Sequence, residues 1–401
     1  MENTNNNWQQ RGNRVFIGNY ARYPVAMEKG EGCKLIDTDG REYLDFLSGI
    51  AVCALGHCHP AVTEAICTQA STLVHVSNLY YTKPQTELAE MLVANSFADK
   101  VFMANSGAEV NEAAIKLARI SSGEGKYGII SLAGSFHGRT LATVAATGQP
   151  KFHAGFEPLP AGFSYAPFGD IAALEAMITE STCAIMCEPL QGEGGVRPLE
   201  QEYLQGLRGL CDKYGLLLIF DEVQTGMGRT GTLFAYQQLG LVPDIMTVAK
   251  ALGNGLPIGA MLTTEKIAAA LVPGTHASTF GGNPVASAAA VSVMKIMLED
   301  DFLPGVREKG RYFGDKLQGL ADKYPSVATG VRGLGLILGL VLTEAGIEHG
   351  TGVVNTMFEK GYLMNFAGGT VLRFVPPLVV TELEIDRFVA ALDETLAGLP
   401  V

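Results

Sequence analysis

Two residues of this chain have the types and the placement for chemistry: an acid and an amine that each end an apolar run. Residues 216–220 (LLLIF) form a short unbroken apolar stretch that stops at Asp221-Glu222. Such a run is the mark of a strand covered on both faces, as in a parallel sheet. Residues 245–249 (IMTVA) read the same way and end on Lys250, with Gly253 and Gly255 close behind. The edge where such strands run out is where open α/β sheets bind ligands. A lysine partly desolvated by apolar neighbours becomes a nucleophile toward carbonyl carbon. A buried carboxylate needs a cation beside it. Together they suit a ligand that offers an aldehyde to the amine and a cationic ring nitrogen to the acid. The plainer alternative is an exposed lysine and an aspartate that caps a helix.

Other motifs converge on the same edge. Ser106-Gly107-Ala108-Glu109 follows the apolar VFMA and precedes a helical pattern over 111–120. Free backbone N–H groups at a helix N-terminus, with a hydroxyl beside them, bind phosphate; the alternative is an ordinary helix cap. Phe136-His137-Gly138-Arg139-Thr140 follows the strand-like GIISL. It brings an aromatic face for stacking and a guanidinium for bidentate grip on a carboxylate. Glu188 through Gly195 (EPLQGEGG) places Glu193 in a glycine-rich loop after CAIMC, where a backbone can approach a ligand closely. Ser278-Thr279 again sets hydroxyls ahead of a helix. Each signal has a plain structural alternative, but the joint placement at strand ends and helix starts does not.

Two motifs point elsewhere. Gly226 to Gly231 spells GxGxxG, the dinucleotide fingerprint of a nicotinamide-dependent dehydrogenase. That fingerprint leaves its strand at once, whereas DEVQT intervenes here, and Asp244 precedes the next strand rather than ending it. His57-Cys58-His59 fits no usual zinc spacing, so no metal is expected.

The elements that must position these groups follow from period and punctuation. Residues 15–46 read as short strands and turns, with a hairpin at 37–40 between KLI and EYLDF. Helices are expected at 60–74 and 84–96, each opened by a proline, and at 170–178, 200–213 and 284–299. Strands alternating with helices imply a parallel sheet. After 301 a charged helix, a strand (GLGLILGLVL), a helix, VLRFVPPLVV and a last helix suggest a smaller α+β domain. Residues 1–14 are polar and expected to be frayed.

Composition bounds the rest. The chain has 401 residues, 47% hydrophobic, with net charge -12, so a large core is feasible, while nucleic acid and anionic membranes are poor partners. Seven cysteines without a CxxC pair read as reduced, packed thiols. The start has no apolar core for a signal peptide and no run reaches membrane-spanning length. A cytoplasmic protein is expected.

The order and spelling of NSGAE, FHGRT, EPLQGEGG, DEVQTGMGRTG, PDIMTVAKALG, STFGGNP and RFVPPL resemble the class III, fold-type I aminotransferases that use pyridoxal 5'-phosphate, over nearly the whole chain. NYARYPV, LGHCHP and HVSNLYYT are most similar to the branch that acts on acetylornithine in arginine biosynthesis. The resemblance implies an α/β fold with a mainly parallel central sheet and helices on both faces. A large cofactor-binding domain at 69–301 would be joined by a small α+β domain from 1–68 and 302–401. It implies that Lys250 holds the cofactor aldehyde and moves protons, and that Asp221 meets the ring nitrogen. Val223, Gln224 and Phe136 would surround the ring, with Glu222 beside them. Ser106, Gly107 and Ala108 would hold the phosphate, joined by Thr279 from a neighbouring subunit. Arg139, Ser278 and Tyr20 would meet substrate, and Arg373 the α-carboxylate of glutamate or 2-oxoglutarate, with Glu193 pairing Arg373 when it is idle. A homodimer with shared active sites is implied. The implied reaction moves the δ-amine of N2-acetyl-L-ornithine to 2-oxoglutarate. Ornithine, succinylornithine, succinyl-diaminopimelate and 4-aminobutyrate remain as alternative donors. Val110 and Asn254 depart from the usual family spelling, which has Ala and Gly there.

Overall fold

The computed structural model describes residues 3–400. Its centre is a seven-stranded sheet in the order Lys100–Ala104, Gly259–Thr263, Ile245–Val248, Leu217–Asp221, Thr182–Cys187, Gly128–Leu132, Phe163–Ala166. Only Gly259–Thr263 runs antiparallel to its two neighbours, so the sheet is mixed and mainly parallel.

The unbroken apolar runs have a direct cause. Every residue of Thr182–Cys187 is buried, and from Ala184 to Cys187 alternate side chains enter different cores. Ile185, Cys187, Leu218 and Phe220 share one cluster with Leu204 and Leu207 of the helix Gln201–Tyr214. Ala184, Met186 and Ile219 share another with Ile115 and Leu117 of the helix Gly107–Ser121. Period-two alternation with apolar cover on both faces leaves no polar face to read. Cys183, Cys187 and Cys211 are free, buried thiols in these layers, and burial pushes Cys183 up to about 11 and Cys211 up to about 12.

Three expectations need correction. The Gly107–Ser121 helix starts four residues earlier than the pattern at 111–120 suggested, because the Ser106 hydroxyl caps it, accepting from Glu109 N–H at 3.2 Å. The stretch GLGLILGLVL is not one strand. Ala328–Leu334 and Ile337–Leu342 form an antiparallel hairpin that turns at Gly335, whose φ of +55° suits glycine. Residues 3–14, expected frayed, carry most of a helix, Asn5–Val15; Met1 and Glu2 lie outside the described residues. Its anchor is one side chain: Asn5 donates to Asp37 at 3.0 Å and Asp39 at 2.9 Å and accepts from Ala26 N–H at 2.8 Å. No residue of that helix is buried, so composition alone carried no sign of it.

The N- and C-terminal segments meet. The hairpin strands Lys34–Asp37 and Glu42–Asp45 join Met27–Glu31 and Tyr362–Leu363 in one four-stranded sheet. Beneath it Phe46, Phe313, Phe374 and Phe388 stack in one aromatic cluster, all fully buried. Ser48, Gly49, Ile50 and Ala51 then run through a left-handed turn, with φ of 47°, 65°, 65° and 61°. Left-handed backbone is costly for a β-branched residue such as Ile50. Asp45 stabilises it: Oδ1 accepts Leu47 N–H at 2.8 Å and Ser48 N–H at 2.7 Å, and Oδ2 meets His57 Nε2 at 2.8 Å. His57 Nε2 is thus taken up by Asp45. Among the described residues no cluster of three or more His, Cys, Asp or Glu could hold a metal, and no helix is long and apolar enough to cross a membrane.

The Gly226–Gly231 stretch forms turns around Arg229, which is fully buried and donates to Leu336 and Pro376 carbonyls. It is a packing loop rather than a strand-to-helix phosphate turn.

The Asp45–His57 pair gives a pH signature. The carboxylate raises the His57 imidazole from 6.5 to about 10, with Cys53 adding to the effect. The contribution to stability is therefore full below pH 6.5 and is lost as pH rises through about 10. Urea denaturation from pH 6 to 10 should show this decline in the native chain. Asp45→Asn should be less stable at pH 6 and flatter across the range; an unchanged slope would contradict the pairing.

Candidate active site

Where the central strands end, a cavity of about 400 Å³ opens, lined among others by Gly107, Phe136, Asp221, Val223 and Lys250. Strand parity explains the acids. Asp221 has the same parity as Ile219 and faces the helix Gly107–Ser121; Glu222 has the opposite parity. Asp221 Oδ2 accepts from Asn111 Nδ2 at 2.7 Å and meets His137 Nδ1 at 2.8 Å, while Oδ1 accepts Val223 N–H at 3.0 Å. Asn111 is itself held by Thr247, whose hydroxyl donates to its Oδ1 at 2.7 Å, and by the His137 carbonyl at 2.8 Å. Glu222, expected beside the cofactor, turns the other way and accepts N–H groups of Ala235 and Tyr236. Burial pushes its carboxyl up to about 7.

Lys250 follows its strand in the left-handed region, φ +45°. Burial lowers its amine below the usual lysine range; Glu193 pulls the other way, and Arg373 adds to the lowering. That lowering favours the unprotonated amine, the form that attacks carbonyl carbon.

The remaining groups fall into two sets. Ser106, Gly107, Ala108, Phe136, Arg139, Glu193, Val223 and Gln224 line the same cavity as Asp221 and Lys250. Arg139 lies over the rings of Phe136 and Phe152, 5.3 and 4.1 Å from their centroids. Arg373, from the strand Val371–Phe374, is fully buried behind it. Its Nη1 donates to Glu193 Oε1 at 2.6 Å and Gln224 Oε1 at 3.2 Å, and Nε donates to Asn365 at 3.1 Å. Nη2 has no partner. Burial pushes Glu193 up, but Arg373 and Lys250 outweigh it and hold the carboxyl below the usual range. Three expected residues lie apart. Tyr20 and Thr279 are exposed on the surface, and Ser278 bonds Asn105 at 3.3 Å just outside the cavity.

Asn111, His137, Thr247 and Glu188 were not singled out from sequence. His137 was within the FHGRT motif, and Asn111 sits about one turn into the capped helix, so a helical wheel drawn from Ser106 would have exposed it. Val52, at the end of the left-handed turn, also lines the cavity. Asn254, the departure from the family spelling, has φ +45° and ties down the distant loop at Leu55-Gly56, accepting Leu55 N–H at 2.8 Å and donating to the Gly56 carbonyl at 3.1 Å. Val110 is fully buried.

A mainly parallel sheet with an amine and a carboxyl at adjacent strand ends defines a cofactor-dependent transferase of the fold-type I kind. The family model described as aminotransferase class-III matches residues 17–396, and the chain belongs to that family. It is 51% identical over 390 residues to the acetylornithine aminotransferase of Caldanaerobacter subterraneus subsp. tengcongensis, covering 96% of this chain and 98% of that one. It is 51% identical over 400 residues to that of Methanocaldococcus jannaschii, covering 98% of both. Among solved structures, the ornithine aminotransferase of Toxoplasma gondii ME49 aligns with a TM-score of 0.93 at 32% identity, over 98% of this chain and 95% of that one. The N-acetylornithine aminotransferase of Stenotrophomonas maltophilia K279a aligns at 0.83 and 38%, over 97% and 98%.

Enzymes of this class work with pyridoxal 5'-phosphate, and this chain is an aminotransferase of that type. The cavity fits the group. A helix N-terminus offers backbone N–H groups to a phosphate, the Phe136 ring offers a stacking face, Asp221 offers a carboxyl and Lys250 an amine. A Cβ at Gly107 would lie 2.7 Å from Val223 Cγ1, so only glycine lets the helix start lie against that wall.

Asp221→Asn should keep the fold by circular dichroism and lower kcat/KM about 100-fold or more, equivalent to ~2.7 kcal/mol of lost transition-state stabilisation. Turnover within threefold of the native enzyme would reject the role of the carboxyl.

Proposed function

We propose that the chain transfers the δ-amine of N2-acetyl-L-ornithine to 2-oxoglutarate, giving N-acetyl-L-glutamate 5-semialdehyde and L-glutamate, a step of arginine biosynthesis. The cavity observation behind this reading is Arg373: a buried guanidinium paired by Glu193 and Gln224, with one nitrogen free of partners. Its pairing by a movable carboxylate suits an enzyme whose two substrates differ in charge beside the reacting carbon. The relatives at about 50% identity carry the name of this activity. Ornithine as donor is the second reading, favoured by the T. gondii neighbour at 32% identity.

When bound, the cofactor supplies an aldehyde that accepts an amino group and a protonated pyridine ring that withdraws electrons. Lys250 would hold that aldehyde and, once displaced, carry protons between carbon atoms with its depressed amine. Asp221, fixed by Asn111 and His137, would keep the ring nitrogen protonated. Phe136 and Val223 exclude water from the ring. Gly107 and Ala108 would bind the phosphate with Ser106. Arg139, half out of the cavity, would take the α-carboxylate of acetylornithine, whose reacting δ-carbon lies far from it. Glu193 neutralises Arg373 for that substrate. Glutamate and 2-oxoglutarate bring a carboxylate of their own, which replaces Glu193 in a bidentate pair.

The enzyme is further proposed to be a cytoplasmic homodimer with shared sites, each chain divided near 68 and 301. Phe16, Ile17, Leu79, Tyr80, Tyr81 and Phe280 are all at least 60% exposed, large apolar side chains of the kind that a subunit interface covers. Tyr20, Ser278 and Thr279 belong to the same surface stretches and would serve the partner's cavity.

The substrate reading is checked by kcat/KM for acetylornithine, ornithine, succinylornithine and 4-aminobutyrate side by side, with acetylornithine expected ahead by about tenfold. In single-turnover experiments Glu193→Ala should slow the acetylornithine half-reaction more than the glutamate half, and Arg373→Ala should do the reverse. Equal slowing of both halves would remove Glu193 as the switch. The assembly is checked by light scattering and by mixing Lys250→Ala with Thr279→Ala chains. Mixed dimers should recover more activity than either parent; a fully active monomer would refute sharing.

A further inference from the structure

We infer that Glu188 is a positioning residue bonded both to the loop carrying Phe136 and to the loop carrying Glu193, which keeps the aromatic wall seated while Glu193 leaves Arg373. The inference rests on the reading that Glu193 leaves Arg373 for the second substrate.

Glu188 immediately follows the strand Thr182–Cys187 and is only 6% exposed. Its two oxygens are divided between the two loops. Oε2 accepts Phe136 N–H at 3.0 Å, and Oε1 accepts Gly192 N–H at 3.4 Å. Gly192 directly precedes Glu193. Among the described residues no Lys or Arg pairs with Glu188. Burial, with the like charge of Asp221, pushes its carboxyl well up, while the Phe136 and Gly192 N–H groups and the charge of Lys250 pull the other way.

The two loops lie backbone on backbone. A Cβ on Gly194 would stand 2.6 Å from the Gly134 carbonyl oxygen, and one on Gly192 would overlap Gln224 Oε1. Gln191 Nε2 donates to the Ala133 carbonyl at 3.0 Å, and Gln149 Nε2 to that of Ser135 at 3.0 Å. Gln149 holds the Phe136 loop from a third segment, while Gln191, which lies on the Glu193 loop, is a second tie between the two loops. Glu188 differs in bonding a backbone N–H of each loop from a central strand end that cannot follow either. Its bonds are unequal. The 3.4 Å bond is at the limit of a hydrogen bond, so the Gly192 side yields when Glu193 swings away. The Phe136 side stays. This lets Glu193 move by one weak bond while the ring wall remains seated.

The inequality makes two substitutions separable. Glu188→Gln keeps a carbonyl oxygen for Phe136 N–H, but its NH₂ faces Gly192 N–H and cannot accept. Glu188→Ala loses both. Hydrogen exchange read by mass spectrometry should be faster over residues 189–196 alone in Glu188→Gln, and over 133–138 as well in Glu188→Ala. Titration of apo-protein with pyridoxal phosphate should give a native Kd for Glu188→Gln and a Kd raised about tenfold for Glu188→Ala. In Glu188→Gln the ratio of the glutamate to the acetylornithine half-reaction rates should shift about fivefold. With Glu193→Ala as background, the same change should leave that ratio where Glu193→Ala alone puts it.

Exchange that quickens over both loops in Glu188→Gln, or native cofactor affinity in Glu188→Ala, overturns the tie. So does an additive effect of Glu188→Gln on top of Glu193→Ala. If Glu188→Ala does not fold, the Glu188→Gln exchange pattern and the double substitution decide. Failure of the native enzyme with acetylornithine would sink the substrate reading instead, while exchange and cofactor affinity would still test Glu188.

Discussion

The carboxyl of Asp221 is the fixed point of this structure. It is buried at the end of a central strand and is held by three donors from three different segments: Asn111 on a helix, His137 in a loop, and the backbone of Val223. A buried acid must have each oxygen occupied, so these segments have to meet there. The helix that brings Asn111 is the one whose N-terminus, at Ser106 and Gly107, lines the same cavity. One rigid element of 1.5 Å per residue thereby sets the distance between that N-terminus and Asp221. Thr247, the third residue of the neighbouring strand Ile245–Val248, fixes Asn111 in turn, and Lys250 follows three residues later.

A second buried group shapes the other side. Arg373 stands on a strand of the C-terminal sheet with no exposure, and a guanidinium there must be paired. Glu193 and Gln224 supply the pairing from two separate loops of the central sheet. The C-terminal segment is thus locked to the cavity by charge as well as by the aromatic cluster around Phe374 and Phe388. The same segment receives the Ser48 hydroxyl at the Val375 carbonyl, 2.6 Å away, so the left-handed turn that presents Val52 is registered to Arg373. Strain at Ile50 and the buried arginine are therefore parts of one wall.

The expected buried strands were legible because their cause is local. A strand covered on both faces carries no charged residue along its length, and charge first appears where it runs out; hence Asp221 and Lys250 could be placed from two runs of five residues. The cap at Ser106, the hairpin at Gly40 and the proline-opened helices were legible for the same reason. Where the deciding contact was distant, local pattern failed. The N-terminal helix is held by Asn5 to Asp37 and Asp39, more than thirty residues away. The left-handed turn at 48–51 is held by Asp45 and Val375. Nothing in GIAV itself announces it.

The division is clearest at the two acids of Asp221-Glu222. Sequence determined that both sit at a strand end, and the family resemblance assigned both to the cofactor. The tertiary structure separated them, because consecutive residues leaving a strand face opposite sides: Asp221 meets the helix and the cavity, and Glu222 caps Ala235 and Tyr236. Likewise the sequence supplied Glu193 and Arg373, 180 residues apart. Only the folded chain makes them a pair, because the strand Val371–Phe374 buries the guanidinium and the glycine-rich loop brings the Glu193 carboxylate to it.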